Sequence, residues 1–144
     1  MAALQSHDYA EARKMAKALY QAAPDIPDTL RLLGLVAEQE KHPAEALLYY
    51  EKVLKKNPDD LTLMSTMAHL YGDAGKNDQA AAFFMELIKK DPTNPENKYE
   101  LALIDKKIEK NAEAKDLLER SMKEAETGKN ELLKKKIEAA LKGL

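Results

Sequence analysis

Cysteine and tryptophan are absent from this chain of 144 residues, and phenylalanine occurs only 2 times. Without cysteine there is no disulfide framework and no thiolate metal site, although this leaves the compartment open. No apolar run approaches the roughly 20 residues that a membrane-spanning helix needs. The opening "MAALQS" lacks the basic end and long apolar segment of a signal peptide. The compartment stays unassigned, with the cytoplasm slightly favoured, and no membrane insertion is expected. An excess of positive charge is also missing. The formal net charge of -2 gives no general attraction for phosphate backbones, which argues against a nucleic-acid partner. The one basic run, Lys134 to Lys136, falls inside an amphipathic helical pattern and reads as its solvated face.

Catalytic and cofactor signatures are equally scarce. His7, His42 and His69 stand near helix boundaries or alone, and no pair has the close spacing of metal ligands. No P-loop, dinucleotide fingerprint or nucleophile motif occurs. Carboxylates alternate with lysines as solubilising pairs along helix faces do. His69 could draw on Asp73 one turn later as a general base, but such polar pairs are commonplace. The expectation is a protein that is not an enzyme and takes no cofactor and no metal.

What the chain does contain is 44% hydrophobic and 33% charged residues, rich in Ala, Leu, Glu and Lys and poor in Val and Thr. That balance favours helix over sheet. "HDYAEA" at 7–12 is answered by "KHPAEA" at 41–46, "GKNDQA" at 75–80 and "EKNAEA" at 109–114, each 34 positions on. A fixed period of this length marks stacked repeats. Complete units fall at 27–60, 61–94 and 95–128, each reading as two helices. Leu30, Leu33, Gly34 and Ala37 form one buried stripe, and Ala46, Tyr50 and Val53 the next. Met64, Met67, Ala68 and Tyr71, then Ala80, Phe84 and Leu87, repeat the pattern. Pro24, Pro58 and Pro92 stand just past apolar stripes, where helices should stop. Asp60 and Asn94 are placed to cap the following helices, with Pro95 at a position where a missing N–H costs nothing. Asp8 and Glu11 suit a capping box at the first helix start.

The period, the Leu-Gly or Met-Ala pair in first helices, the Ala and aromatic in second helices and the closing proline resemble the tetratricopeptide repeat family. Leu33, Gly34, Ala46, Tyr50 and Pro58 carry the pattern in one unit, and Ala68, Tyr71, Ala80, Phe84 and Pro92 in the next. Departures are the first-helix tryptophan, replaced by Leu30, Met64 and Lys98, then Asp105 in place of an aromatic and Glu126 in place of proline. The third unit is thus a degenerate, terminal repeat. Residues 8–22 match only a second helix, so 1–26 reads as a partial repeat, and the chain as a fragment of a longer array or as one that naturally begins mid-repeat. Thr127 to Asn130 reads as a break with a new cap. Beyond it, Leu133, Ile137, Ala140, Leu141 and Leu144 form the stripe of a capping helix over 129–144.

The resemblance implies a single all-α domain over 1–144, a right-handed superhelical stack of antiparallel helix pairs whose first helices line a concave groove. The implied function is a scaffold or adaptor binding a peptide or helical segment of a partner protein there. The groove positions are Arg31, Leu32, Leu35 and Gln39 in the first complete unit; Ser65, Thr66, His69 and Asp73 in the second; Tyr99, Leu103 and Lys106 in the third. Leu32 and Leu35 exceed what the core stripe requires, so they either face a ligand or pack against the preceding helix pair, and Tyr99 offers an apolar face with a polar tip for binding or simply covers Leu103. The hydroxyls of the middle unit can donate to and accept from a peptide backbone. The family's chaperone-binding members grip a C-terminal carboxylate with Lys, Asn and Arg. At those places stand Arg31, Leu35, Thr66, Glu96 and Glu100, so such a clamp is not expected. The alternative is a self-assembling or structural module that oligomerises through its ends or convex face, for example as a homodimer through an N-terminal helix exposing Tyr9, Met15 and Leu19.

Overall fold

The structure, a computed structural model, describes residues 9–144. Among these residues there are helices and turns and no strands. In order they are α1 (Tyr9–Ala22), α2 (Pro27–Gln39), α3 (Pro43–Lys56), α4 (Leu61–Asp73), α5 (Asn77–Lys90), α6 (Pro95–Lys107), α7 (Asn111–Thr127) and α8 (Glu131–Lys142). First helices thus start at 27, 61 and 95, and second helices at 9, 43, 77 and 111, the 34-residue spacing of the sequence. The fold is an all-α tetratricopeptide-type solenoid. Asp8 of the anticipated capping box lies outside the described residues, as does His7.

Local chemistry explains the boundaries. Asp60 Oδ1 accepts the Leu63 N–H at 2.9 Å, Asn94 Oδ1 that of Glu96 at 3.0 Å and Asn130 Oδ1 that of Leu133 at 3.1 Å. These side-chain oxygens satisfy donors that a helix start leaves open. At the other ends one turn recurs. The N–H groups of His42, Lys76, Lys110 and Asn130 reach back to the carbonyls of Ala37, Tyr71, Asp105 and Ala125 at 2.8, 2.9, 2.9 and 2.8 Å. In each, the residue before the donor is left-handed: Lys41 (φ 60), Gly75 (φ 72), Glu109 (φ 63) and Lys129 (φ 56). This is the Schellman closure, which favours glycine. Only Gly75 supplies it. At the last break the glycine of the sequence, Gly128, is right-handed with φ -79, and Lys129 takes the left-handed position. α7 also runs to 17 residues against 14 for α3 and α5. Proline closes the earlier second helices, whereas Glu126 does not interrupt α7.

The described chain forms two compact units, one ending at Leu63 and one beginning at Met64. In the first, α2 packs between α1 and α3, burying Leu30, Leu33, Val36, Ala37, Ala46, Tyr50 and Val53. Gly34 is needed for that packing: a Cβ there would lie 2.6 and 2.7 Å from Tyr50 Cδ1 and Cζ. The Tyr50 hydroxyl donates to Glu38 Oε1, tying α3 to α2. Arg13 of α1 makes a two-pronged contact with Glu45 at 2.9 and 3.2 Å and also pairs with Glu40. The hydrogen bond from Arg13 holds the Glu45 carboxyl below its ordinary range.

In the second unit Met64, Met67, Ala68, Tyr71, Ala80, Phe84 and Leu87 are buried as their periodicity predicts. Tyr71 stacks on Phe83 at 5.7 Å between ring centroids. A further core joins α6, α7 and α8 through Ala102, Ala114, Leu118, Ala125, Leu133 and Ile137. Leu133 and Ile137 of α8 make it a capping helix in packing terms, while Leu144 is exposed. Two charges are buried in this unit where the earlier repeats carry apolar or aromatic groups. Lys98 is 2% exposed. Its Nζ donates to Pro92 O at 2.5 Å and Glu124 Oε2 at 2.8 Å. Asp105 is 7% exposed, and burial pushes its carboxyl up.

Candidate functional site: the outward side of the first helices

In the first unit, Leu30, Leu33 and Ala37 turn the core side of α2 inward, which leaves Asp28, Arg31, Leu32 and Leu35 on a different side. These four line a pocket of about 400 Å³. Leu32 and Leu35 are half-buried, so they keep apolar surface within reach of a ligand. Arg31 is not a free cation. Its Nη2 pairs with Asp60 Oδ2 at 2.5 Å, and that carboxylate also caps α4. Burial pushes the Asp60 carboxyl up, but the Leu63 N–H and the Arg31 guanidinium outweigh it and hold it below its ordinary value. Arg31 therefore braces the start of α4 while keeping one side open to the pocket. Gln39 is exposed and its Oε1 accepts from the Tyr9 hydroxyl at 3.2 Å, which ties it to α1.

In the second unit, Ser65 and Thr66 are half-buried on α4, and His69 and Asp73 are exposed. The His69 ring meets Phe84 edge-on at 5.3 Å, so it is steered by the core beneath it. On α6, Tyr99 is half-buried and packs against the core formed with α7 and α8, which pushes its phenol up, with Glu100 adding to the shift. Part of Tyr99 is thus core. Leu103 is half-buried. The Lys106 ammonium lies where a Cβ on Gly143 would be 2.5 Å away, so the end of α8 passes directly over it.

The structure thus brings Arg31, Leu32 and Leu35 together around one pocket in the first unit. The second unit carries its candidate residues on α4 and α6, with three of them, His69, Tyr99 and Lys106, engaged by neighbouring groups. Among the described residues no cluster of His, Asp or Glu is arranged to hold a metal ion, and no helix is long and apolar enough to cross a membrane. Periodicity alone did not reveal the ion pairs of Arg13 and Arg31, because their partners lie about 30 residues away, on another helix or in the turns between helices. The swap that buries Lys98 was visible: Leu30 and Lys56 become Met64 and Lys90, then Lys98 and Glu124, each step 34 residues apart.

Comparison with known proteins agrees with this architecture. Two sequence profiles described as tetratricopeptide repeat match residues 37–96 and 1–60, together spanning 1–96. No curated protein matches the chain. Among solved structures, one described as MamA aligns with a TM-score of 0.73 at 16% identity, covering 97% of this chain and 88% of that one. A tetratricopeptide repeat protein from Parabacteroides merdae aligns with a TM-score of 0.74 at 19% identity, covering 96% and 61%. The TPR2B domain of yeast Sti1, solved in complex with pHsp70, aligns with a TM-score of 0.69 at 19% identity, covering 80% and 92%. At these identities the structural likeness concerns the fold. With the sequence profiles and the in-phase residues, it makes this chain a member of the tetratricopeptide repeat family.

Proposed function

We propose that this protein is a non-enzymatic interaction scaffold whose first helices hold a peptide or helical segment of a partner protein. The observation that carries the reading is the pocket of Asp28, Arg31, Leu32 and Leu35, where two leucines stay half-buried although the core of α2 is already complete. An apolar side chain of the partner would remove that surface from water, and Asp28 and the exposed side of Arg31 would orient its polar groups. In the second unit the same role falls to Ser65, Thr66, His69, Asp73, Tyr99 and Leu103, with the hydroxyls bonding the partner's backbone. The Sti1 domain, a fold relative solved with pHsp70, supports peptide capture in general terms. The test compares wild type with the variant Leu32→Glu, Leu35→Glu, His69→Glu, Tyr99→Ala as bait in lysate of the source organism. Proteins retained by wild type and lost by a variant of unchanged circular dichroism support the reading. Identical capture by both sinks it.

A second reading has its own observation. On α1, Met15 is 55% and Leu19 52% exposed. A homodimer burying both would make the module self-assembling. Sedimentation should then show a concentration-dependent dimer that Met15→Lys, Leu19→Lys abolishes; a monomer at all concentrations removes this reading.

A further inference from the structure

A second pocket, of about 560 Å³, lies in the second unit away from the residues assigned above, lined by Pro92, Thr93, Arg120, Lys123, Glu124, Thr127 and Gly128. Its walls are the turn before α6 and the last turns of α7. Arg120 stands three and four residues before Lys123 and Glu124, and Thr127 four and three after them, so α7 presents all four on one side. Arg120 and Lys123 are exposed. The only carboxylate in the lining, Glu124, is already neutralised by Lys98, whose Nζ is bonded to two of the lining residues, Pro92 O at 2.5 Å and Glu124 Oε2 at 2.8 Å. The other competitor for the site is Asp116, which meets Arg120 at 3.4 Å in an exposed pair that an incoming anion can displace.

The end of a helix normally repels anions, but here three of the last four carbonyls of α7 accept hydrogen bonds. Glu124 O accepts from Gly128 N at 2.9 Å, Ala125 O from Asn130 N at 2.8 Å and Glu126 O from Lys129 N at 3.1 Å. The Lys123 carbonyl takes the Thr127 hydroxyl at 2.9 Å. These bonds weaken the negative end of α7 and leave Arg120 and Lys123 as the exposed charges of the lining. The pocket is also particular to this repeat. The positions 34 residues earlier than Arg120 and Glu124 are Glu86 and Lys90, so the buried cation with outward Arg and Lys is not the general pattern of the array.

We propose that this pocket is a second docking point, for an acidic side chain of a peptide partner, whose carboxylate sits between Arg120 and Lys123 above the Lys98–Glu124 pair. The flanking peptide would lie on Pro92 and Gly128, which line the same pocket. It is independent of the first-helix reading, since none of its residues belongs to that face.

The probe is a tetra-glutamate peptide blocked at both ends, titrated into the isotope-labelled chain at low salt and followed by amide chemical shifts. Blocked tetra-glutamine and inorganic phosphate are run beside it. Saturable shifts at Thr93, Lys123, Thr127 and Gly128 are expected from tetra-glutamate and not from tetra-glutamine. Arg120→Gln with Lys123→Gln should weaken binding at least tenfold with the rest of the spectrum unchanged. Lys135→Gln with Lys136→Gln, on exposed positions of α8, should leave it as in wild type. Shifts gathered on the α8 lysines, binding untouched by the Arg120 and Lys123 substitutions, or a response to phosphate alone would each overturn the assignment.

Discussion

Replacing Lys98 by methionine and, separately, Glu124 by alanine should change stability by very different amounts, although both break the same ion pair. The Lys98 side chain is 3% exposed and that of Glu124 35%. Glu124→Ala leaves the ammonium buried with the Pro92 carbonyl as its remaining partner. A fully buried pair broken in this way costs about 3–5 kcal/mol, and the partial exposure of Glu124 admits water that reduces this to about 2–3 kcal/mol. Lys98→Met removes the charge together with the need to solvate it. Methionine has a similar unbranched stem, and burying it contributes about 1.5–3 kcal/mol. Against this stand the lost bonds of a charged donor, about 1.5–3 kcal/mol each before the hydration of the acceptors is regained. The terms nearly cancel, so Lys98→Met should fall within about 1 kcal/mol of wild type. The preceding repeats already hold this solution: Met64 is 3% and Leu30 0% exposed at the corresponding places. Urea unfolding followed by far-UV circular dichroism, with amide exchange in α6 and α7 as the local readout, measures both variants. If Lys98→Met were as damaging as Glu124→Ala, the buried cation would be a net source of stability and the reasoning would be refuted.

Further predictions concern the fold's narrow points. Gly34→Ala drives a methyl into the Tyr50 ring and should cost about 1–3 kcal/mol in urea unfolding, with Tyr50→Leu in the same chain recovering part of it. Lys41→Gly and Glu109→Gly relieve left-handed residues and should each stabilise by about 0.5 kcal/mol, whereas Gly75→Ala should destabilise by about 1 kcal/mol. Glu45 and Asp60 have carboxyls held below their unfolded values, so their contribution is present above about pH 4 and is lost as pH falls through the lower folded values. Arg13→Gln should remove the Glu45 part of that acid dependence, read from melting temperature against pH. Asp105 has the opposite sign: its folded carboxyl is raised, so it disfavours the folded state increasingly as pH rises through the carboxylate range. Asp105→Asn should therefore stabilise at neutral pH by about 1 kcal/mol and bring no gain in acid.

Much of the fold is readable in the order of residues because helix starts and stops are local chemistry. Proline at 27, 43 and 95, capping oxygens at Asp60, Asn94 and Asn130, and stripes at spacings of three and four all act within a few residues of themselves. The left-handed turns were less legible. The backbone at Lys41, Glu109 and Lys129 is imposed by the Schellman closure and the packing of the helices on either side, which overrides the preference of lysine and glutamate. Gly128 shows the converse, a glycine beside the left-handed position instead of in it. Candidate binding residues were readable as positions on helices but not as partners. Arg31 meets Asp60 and Gln39 meets Tyr9 across about 30 residues of sequence, distances over which only the folded chain decides. The pocket around Arg120 and Lys123 was missed because lysine and arginine in an amphipathic pattern look like solvated face until a buried neighbour such as Lys98 sets them apart.

The claim that the first helices bind a partner is tested most directly by placing a photo-crosslinking benzoylphenylalanine at Leu35, beside the α2 pocket, and in a second protein at Leu48, which is 62% exposed on α3. After irradiation in lysate of the source organism, a discrete crosslinked partner from Leu35 and none from Leu48 is the predicted result. The same partner from both positions, or from Leu48 alone, would contradict it.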